Sequence, residues 1–218
     1  MSGGDATAPR GRYAGLTADE RRLRRREQLR TAALDTIADE GISGLKVRAL
    51  CARAGLNDRY FYESYPDTDR LLIDVVEDQL AQAMSEIMAA ITTAPADTRL
   101  RVRAVIETGL AAIVDHPARR RMVTELQSLA ELRSRRAELV TLLSGIMLDQ
   151  GRELLGESAT GMYAELAART VVHGGLELLA EWVRGDLRIT RSQLVDFLVA
   201  MILTASDITT TVEREVAG

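Results

Sequence analysis

Apolar residues recur every three to four positions through almost the whole chain, and no sustained period-two alternation or Asn-Gly hairpin signal interrupts them. The pattern predicts an all-α protein of about nine helices. Thr17-Ala-Asp-Glu20 has the spacing of a capping box and opens a first helix that runs to about Glu40, with Gly41 as its stop. A short helix over 47–54 ends at Gly55, and Asn57 caps another from 58 to about 65, just before Pro66. Asp67 or Thr68 opens a long helix whose apolar stripe is Leu72, Val76, Leu80, Met84, Ile87 and Ile91. Beyond Pro95 come a helix of 98–114, one entered at His116-Pro117, and one of about 135–154 capped by Ser134. Another spans about 160 to Arg184 before Gly185. Thr190-Arg-Ser-Gln193, a second capping box, opens a last helix to about 210.

Composition narrows the class. A chain of 218 residues with 46% hydrophobic and 28% charged residues is ordinary for a globular protein. No apolar run approaches the ~18 residues of a membrane span, and the first residues lack the apolar segment of a signal peptide. The single cysteine, Cys51, cannot form an internal disulfide. These features predict a cytoplasmic protein with no membrane partner. Net charge is −4, but residues 10–30 carry eight arginines against Asp19, Glu20 and Glu27. A basic N-terminal third on an acidic body suits an anionic partner at one end, and equally a solvated arginine-rich helix face.

The helix pair 47–54 and 58–65 is the sharpest local feature. Leu50, Cys51 and Ala54 share one face, Gly55 permits a tight turn, and Leu56, Phe61 and Tyr65 point the same way, which makes a helix-turn-helix. Catalytic chemistry is not in evidence. His116 and His173 are too few for a metal cluster and lack ligand spacing, no phosphate-binding glycine motif occurs, and Cys51 reads as a small core residue. The expectation is therefore no enzyme, with no catalytic residues, cofactor or metal.

The stretch from about Arg25 to Leu72 resembles the DNA-binding domain of the TetR family of bacterial transcriptional regulators. The resemblance rests on the helix ending at Gly41, then Val47-Arg48-x-Leu50, Ala54-Gly55, Phe61-Tyr62 and the pair Tyr65-Pro66 before Leu71. It implies a helix-turn-helix domain over 17–66 and a ligand-binding and dimerisation domain over 67–218, and composition marks residues 1–16 as a flexible basic arm. Under it, Arg48 and Tyr62 contact phosphates, Asp58, Arg59 and Tyr60 begin the recognition helix, and Ser64 is a further phosphate donor. Arg59 suits guanine best, because a guanidinium pairs bidentately with O6 and N7. Two positions depart from the family pattern: Lys46 stands where threonine is usual, and Thr68 where lysine is common. Lys46 reaches a phosphate without capping the helix, whereas Thr68 donates one bond without charge. Glu63 and aspartates 58, 67 and 69 put negative charge near the DNA face.

The same resemblance assigns the body two roles. Val171, Gly174, Gly175, Leu179 and Trp182, with Leu194, Phe197, Leu198 and Met201 on the last helix, form the expected interface of a homodimer. Two mid-helix glycines cost roughly 1 kcal/mol each relative to alanine, which calls for a packing benefit. Pocket candidates are Met122, Leu126, Leu129, Leu142, Ile146, Met147, Tyr163 and His173, all of which also suit ordinary core packing. The implied function is a ligand-responsive repressor that binds a near-palindromic double-stranded operator and is released by a small apolar or amphipathic effector. A helical adaptor of the same fold with weakened DNA binding is the second reading.

Overall fold

Residues 17–125, 130–155 and 161–216 are described by the computed structural model. They form nine α-helices and one 3₁₀ turn, with no strand among them. Local chemistry accounts for most boundaries. Helix α1 (Ala18–Glu40) opens with the Thr17 capping box: Thr17 N–H donates to Glu20 Oε2 at 2.6 Å, and Glu20 N–H donates to Thr17 Oγ1 at 3.2 Å. After the 3₁₀ turn Ile42–Gly44 come α2 (Val47–Ala54) and α3 (Asp58–Ser64), joined through Gly55 at φ 67°. That left-handed geometry suits glycine and sets the angle of the helix-turn-helix. Asp67 caps α4 (Thr68–Thr93) and Asp97 caps α5 (Thr98–Val114), each by accepting from a backbone N–H three residues on.

Helix α6 (Pro117–Glu125) is followed by α7 (Ala130–Leu155), α8 (Met162–Arg184) and α9 (Arg191–Val216). Helix α7 begins before the predicted cap at Ser134, which lies inside it. Ala130-Glu131-Leu132-Arg133 are strong helix formers, and continuing a helix costs less than starting one. The second capping box forms as predicted between Thr190 and Gln193, and α9 continues past residue 210 to Val216.

Two apolar cores organise these helices. The first joins Leu29, Ala33 and Ile37 of α1, Leu50 and Cys51 of α2, Phe61 and Tyr65 at α3, and Leu71, Leu72 and Val75 of α4. It also takes in Ala118 and Met122 of α6, so it is not confined to residues 17–66. The second gathers Leu110 of α5, Leu179 of α8, and Leu194, Val195, Leu198 and Val199 of α9.

Helix α4 belongs to both halves. Its buried residues are Leu71, Leu72, Val75, Gln79 and Ala83: Leu72 lies on the predicted stripe, while Val75, Gln79 and Ala83 each fall one position before its Val76, Leu80 and Met84. The shift centres on Gln79, whose burial is made tolerable by Arg119 of α6. Arg119 is itself buried and donates Nε to Gln79 Oε1 at 3.0 Å, Nη1 to Glu86 Oε1 at 3.0 Å and to the Ala112 carbonyl at 2.8 Å, and Nη2 to Gln82 Oε1 at 3.3 Å. A buried guanidinium is stable only when its donors are satisfied in this way.

Helix α6 also grips the end of α1. Arg121 donates to the carbonyls of Ala38 and Asp39, and Glu125 Oε2 accepts from Ile42 N–H at 2.8 Å. Gly41 makes room for this contact. It has φ 81°, and a Cβ built there would stand 2.8 Å from the Glu125 carboxylate.

Met122→Ala should therefore destabilise the first core by about 2–5 kcal/mol, as for a buried Met-to-Ala truncation. Urea unfolding followed by circular dichroism measures it, and an unchanged midpoint would remove α6 from that core.

Candidate nucleic-acid interface and internal cavity

Helix α3 has seven residues, so tertiary contacts hold it in place. Phe61 and Tyr65 are 0% and 1% exposed and lie 6.2 Å apart between ring centroids. Tyr65 is locked further: its hydroxyl donates to Asp74 Oδ2, and Arg26 Nη2 donates to the same oxygen at 3.2 Å while its guanidinium lies 4.7 Å over the Tyr65 ring. Burial and the Asp74 carboxylate together push the Tyr65 hydroxyl up to about 12. Burial alone would raise Asp74, but the bonds from Tyr65 and Arg26 outweigh it and hold this carboxyl below its ordinary value. Burial, with Asp58 nearby, likewise raises the Cys51 thiol, in keeping with a core residue.

With its inner face fixed, α3 presents the other side to solvent. The Arg59 side chain is 83% exposed, and Tyr62 and Tyr60 are 60% and 37% exposed. Arg59 Nε donates to Glu63 Oε1 at 2.9 Å, and Arg25 Nη2 donates to the other Glu63 oxygen at 3.5 Å. Arg25 also lies 4.7 Å over the Tyr60 ring. Two guanidinium groups therefore share one carboxylate, and the negative charge of Glu63 is neutralised within the protein. Lys46 and Arg48 are exposed at the start of α2, and no ion pair to either occurs among the described residues. As predicted from its side chain, Lys46 supplies no cap to α2.

Other predicted contact residues are placed less openly. Ser64 is buried, and its hydroxyl donates back to the Tyr60 carbonyl at 2.9 Å, so it is not free to bind a phosphate. Thr68 is half-buried in the first turn of α4, while Asp58 is exposed in the first turn of α3. The expected arm over 1–16 lies outside the described residues.

A cavity of about 410 Å³ opens in the body between α4, α5, α7, α8 and α9. Its walls are aliphatic, formed by Ile87 and Ile91 of α4, Val102 and Ile106 of α5, Val171 and Leu176 of α8, and their neighbours. Ile146 and Met147 line it. Four other pocket candidates lie off its walls: Met122 belongs to the first core, Leu142 is exposed, Tyr163 is half-buried elsewhere, and His173 is exposed on α8. Leu126 and Leu129 fall outside the described residues. The polar wall groups Thr98, Arg101 and Gln150 were missed. The pattern does hold a signal for Arg101, which sits on the stripe of Thr98, Val102 and Val105 along α5.

The residues expected at a dimer surface divide between two faces. Val171 and Leu179 face the cavity, and Leu194 and Leu198 are buried in the second core, so these four serve the protomer's interior. Gly175 does too, since a Cβ there would meet Leu198 Cδ2 at 3.5 Å. Trp182 is half-buried and its indole N–H donates to the Ile189 carbonyl at 2.8 Å, while Met201 is half-buried beside the second core. Gly174 is open, with nothing within 4 Å of a built Cβ. Phe197 is 53% exposed, and so are two unpredicted residues of α8, Met162 at 64% and Leu166 at 54%.

Among the described residues no group of three potential ligands could hold a metal ion, and no helix is long and apolar enough to cross a membrane.

No family model and no curated protein matches the chain. Solved structures do. A Pseudomonas aeruginosa PAO1 protein assigned as a transcriptional regulator superposes with a TM-score of 0.66 at 23% identity, over 90% of this chain and 95% of its own. A TetR-like transcriptional regulator from Rhodococcus sp. RHA1 gives 0.56 at 20% identity, over 87% and 97%. FadR from Bacillus subtilis, solved in complex with stearoyl-CoA, gives 0.61 at 24% identity, over 83% and 97%. The chain has the all-helical fold of TetR-like regulators.

The Tyr65–Asp74 pair gives a signed pH dependence. A carboxyl lowered in the folded state contributes stability above its ordinary value of 3.8 that is lost as pH falls through the folded value. A phenol raised from 10.0 to about 12 contributes stability below pH 10 that is lost as pH rises through about 12. Unfolding midpoints across pH should show that Tyr65→Phe flattens the alkaline limb and Asp74→Asn flattens the acid limb. Unchanged limbs in both variants would contradict the pairing.

Proposed function

We propose that the protein is a DNA-binding transcriptional regulator of the TetR family, acting as a dimer on a near-palindromic operator and released by a small apolar or amphipathic effector. The observation that carries this reading is the two-faced α3: Phe61 and Tyr65 anchor one side, and Arg59, Tyr60 and Tyr62 are exposed on the other. Such a helix fits the major groove, where Arg59 reads a guanine edge while Lys46, Arg48 and Tyr62 hold phosphates. Asp58 complements the positive end of α3.

Dimerisation rests on the outer surface of α8 and α9. Met162 and Leu166 are four residues apart along α8 and Gly174 lies eight residues further on, and Phe197 stands exposed on α9. An open mid-helix glycine has no packing role inside the protomer, which favours close approach by a second helix. A dimer would hold two α3 helices about one DNA turn apart, ~34–36 Å. The cavity is the effector site in this reading, and the stearoyl-CoA complex of B. subtilis FadR accords with an aliphatic effector.

Effector and operator would then be linked through α4 and α6. Ile87 and Ile91 line the cavity from the helix whose first turns sit in the DNA-binding core. Arg119 ties α6 to α4, and Arg121 and Glu125 tie it to α1. An effector represses or releases DNA only by binding the two conformations with different affinity.

Fluorescence anisotropy with duplexes from the gene's own upstream region tests the proposal. Arg59→Ala should cost about 1–3 kcal/mol on the preferred duplex and relax its sequence preference. Arg48→Ala should weaken all duplexes alike and lower the salt slope by about one. A folded dimer that binds no upstream duplex specifically would favour the adaptor reading instead.

Phe197→Glu should convert the dimer to a folded monomer in analytical ultracentrifugation and weaken operator binding in parallel. An unaltered dimer would move the interface elsewhere.

A further inference from the structure

The cavity's polar groups say more about its occupant than its size does. Among the described residues its lining includes no aromatic side chain, and Arg101 is the single charged member. Aliphatic walls without flat aromatic faces favour a flexible saturated chain over a planar ring system. Among the described lining side chains only Thr98, Arg101 and Gln150 are polar.

These three lie together at one end. Thr98 and Arg101 are one turn apart at the start of α5. Arg101 Nη1 and Gln150 Nε2 both reach the Glu153 carboxylate, at 3.5 Å and 3.4 Å. From Arg101 the cavity follows α5 to Ile113, a distance of ~18 Å at 1.5 Å rise per residue. One polar end and a long aliphatic remainder is the outline of an amphiphile.

Two features fix the sign and donor pattern of its head. Arg101 has an 18% exposed side chain, and its only ion pair among the described residues is the long contact to Glu153, which is 62% exposed. An anion arriving from the cavity side would take over this guanidinium, and the displaced Glu153 would be solvated. Gln150 Oε1 is buried with no hydrogen-bond partner. Its amide is oriented by Glu153, which requires the N–H side, so the bare oxygen needs a donor from elsewhere. Leaving it bare costs the desolvation of a buried acceptor, which a ligand O–H or N–H would recover.

We infer that the cavity binds a long-chain aliphatic carboxylic acid bearing a hydroxyl or amide N–H near its carboxylate, which pairs with Arg101 while the donor bonds to Gln150. This rests on the cavity being the effector site, but its test does not require DNA.

Isothermal titration of the full chain with 3-hydroxytetradecanoate, tetradecanoate and the methyl ester of the hydroxy acid provides it. The hydroxy acid should bind tightest. Loss of the charge in the ester should weaken binding roughly ten- to a hundredfold, and loss of the hydroxyl roughly three- to tenfold. Arg101→Gln should abolish the preference for acid over ester, Arg101→Lys should retain part of it, and Gln150→Leu should abolish only the preference for the hydroxyl. Melting temperatures confirm that each variant is folded. Equal binding of acid and ester, an unchanged hydroxyl preference in Gln150→Leu, tighter binding of a coenzyme A thioester, or no binding of any amphiphile would overturn the inference. Specific operator binding alongside any of these would leave the regulator reading intact. Amphiphile binding by a protein that recognises no DNA would do the reverse.

Discussion

The anchoring of α3 by Phe61 and Tyr65 is the contact on which the rest depends. A seven-residue helix is too short to persist in water, because nucleation costs more than its few hydrogen bonds return. Burying both rings against α1, α2 and α4 supplies the missing stability and also sets the helix's rotation about its axis. Once that rotation is set, Arg59 and Tyr62 have nowhere to point but outward. The Tyr65 hydroxyl, held by Asp74, then ties the end of α3 to the first turns of α4.

That tie matters because α4 runs from the first core to the cavity. The junction beneath it is polar: Arg119 spends its donors on α4 and α5, from inside α6. Polar contacts are more directional than apolar ones, so a small change in helix position exchanges partners instead of sliding smoothly. Helix α6 completes the circuit: Arg121 donates to the last carbonyls of α1, and Glu125 accepts from Ile42 N–H just beyond it, at a glycine whose hydrogen leaves space for the carboxylate. The cavity and the presented face of α3 are thereby joined through side chains that each have a specified partner.

Much of the fold was legible because it follows from local rules. Both capping boxes, the glycine stops at Gly41, Gly55 and Gly185, and the inward aromatics of α3 are read directly from residue type and spacing. What was not legible depends on the rotation of one helix against another. Between Val75 and Ala83 the buried face of α4 lies one position off the expected stripe, around a glutamine that meets an arginine forty residues away, a pairing without a sequence pattern. The cavity was misjudged for the same reason, since membership of α7 or α8 does not say which side faces inward. Leu142 points out while Ile146 and Met147 point in. Glu63 was read as a repulsive charge although Arg59, four residues before it on the same helix, pairs with it at 2.9 Å; only its second partner, Arg25 on α1, has no local signal.

In the proposed function α3 reads DNA as one of a symmetric pair. Footprinting of the protein on its own upstream region tests it most directly. The expected result is a protected near-palindrome whose half-sites are centred about 10–10.5 base pairs apart, or a multiple of that, with the protection lost for Arg59→Ala. Uniform, salt-sensitive protection with no half-sites, or protection that survives Arg59→Ala unchanged, would contradict it.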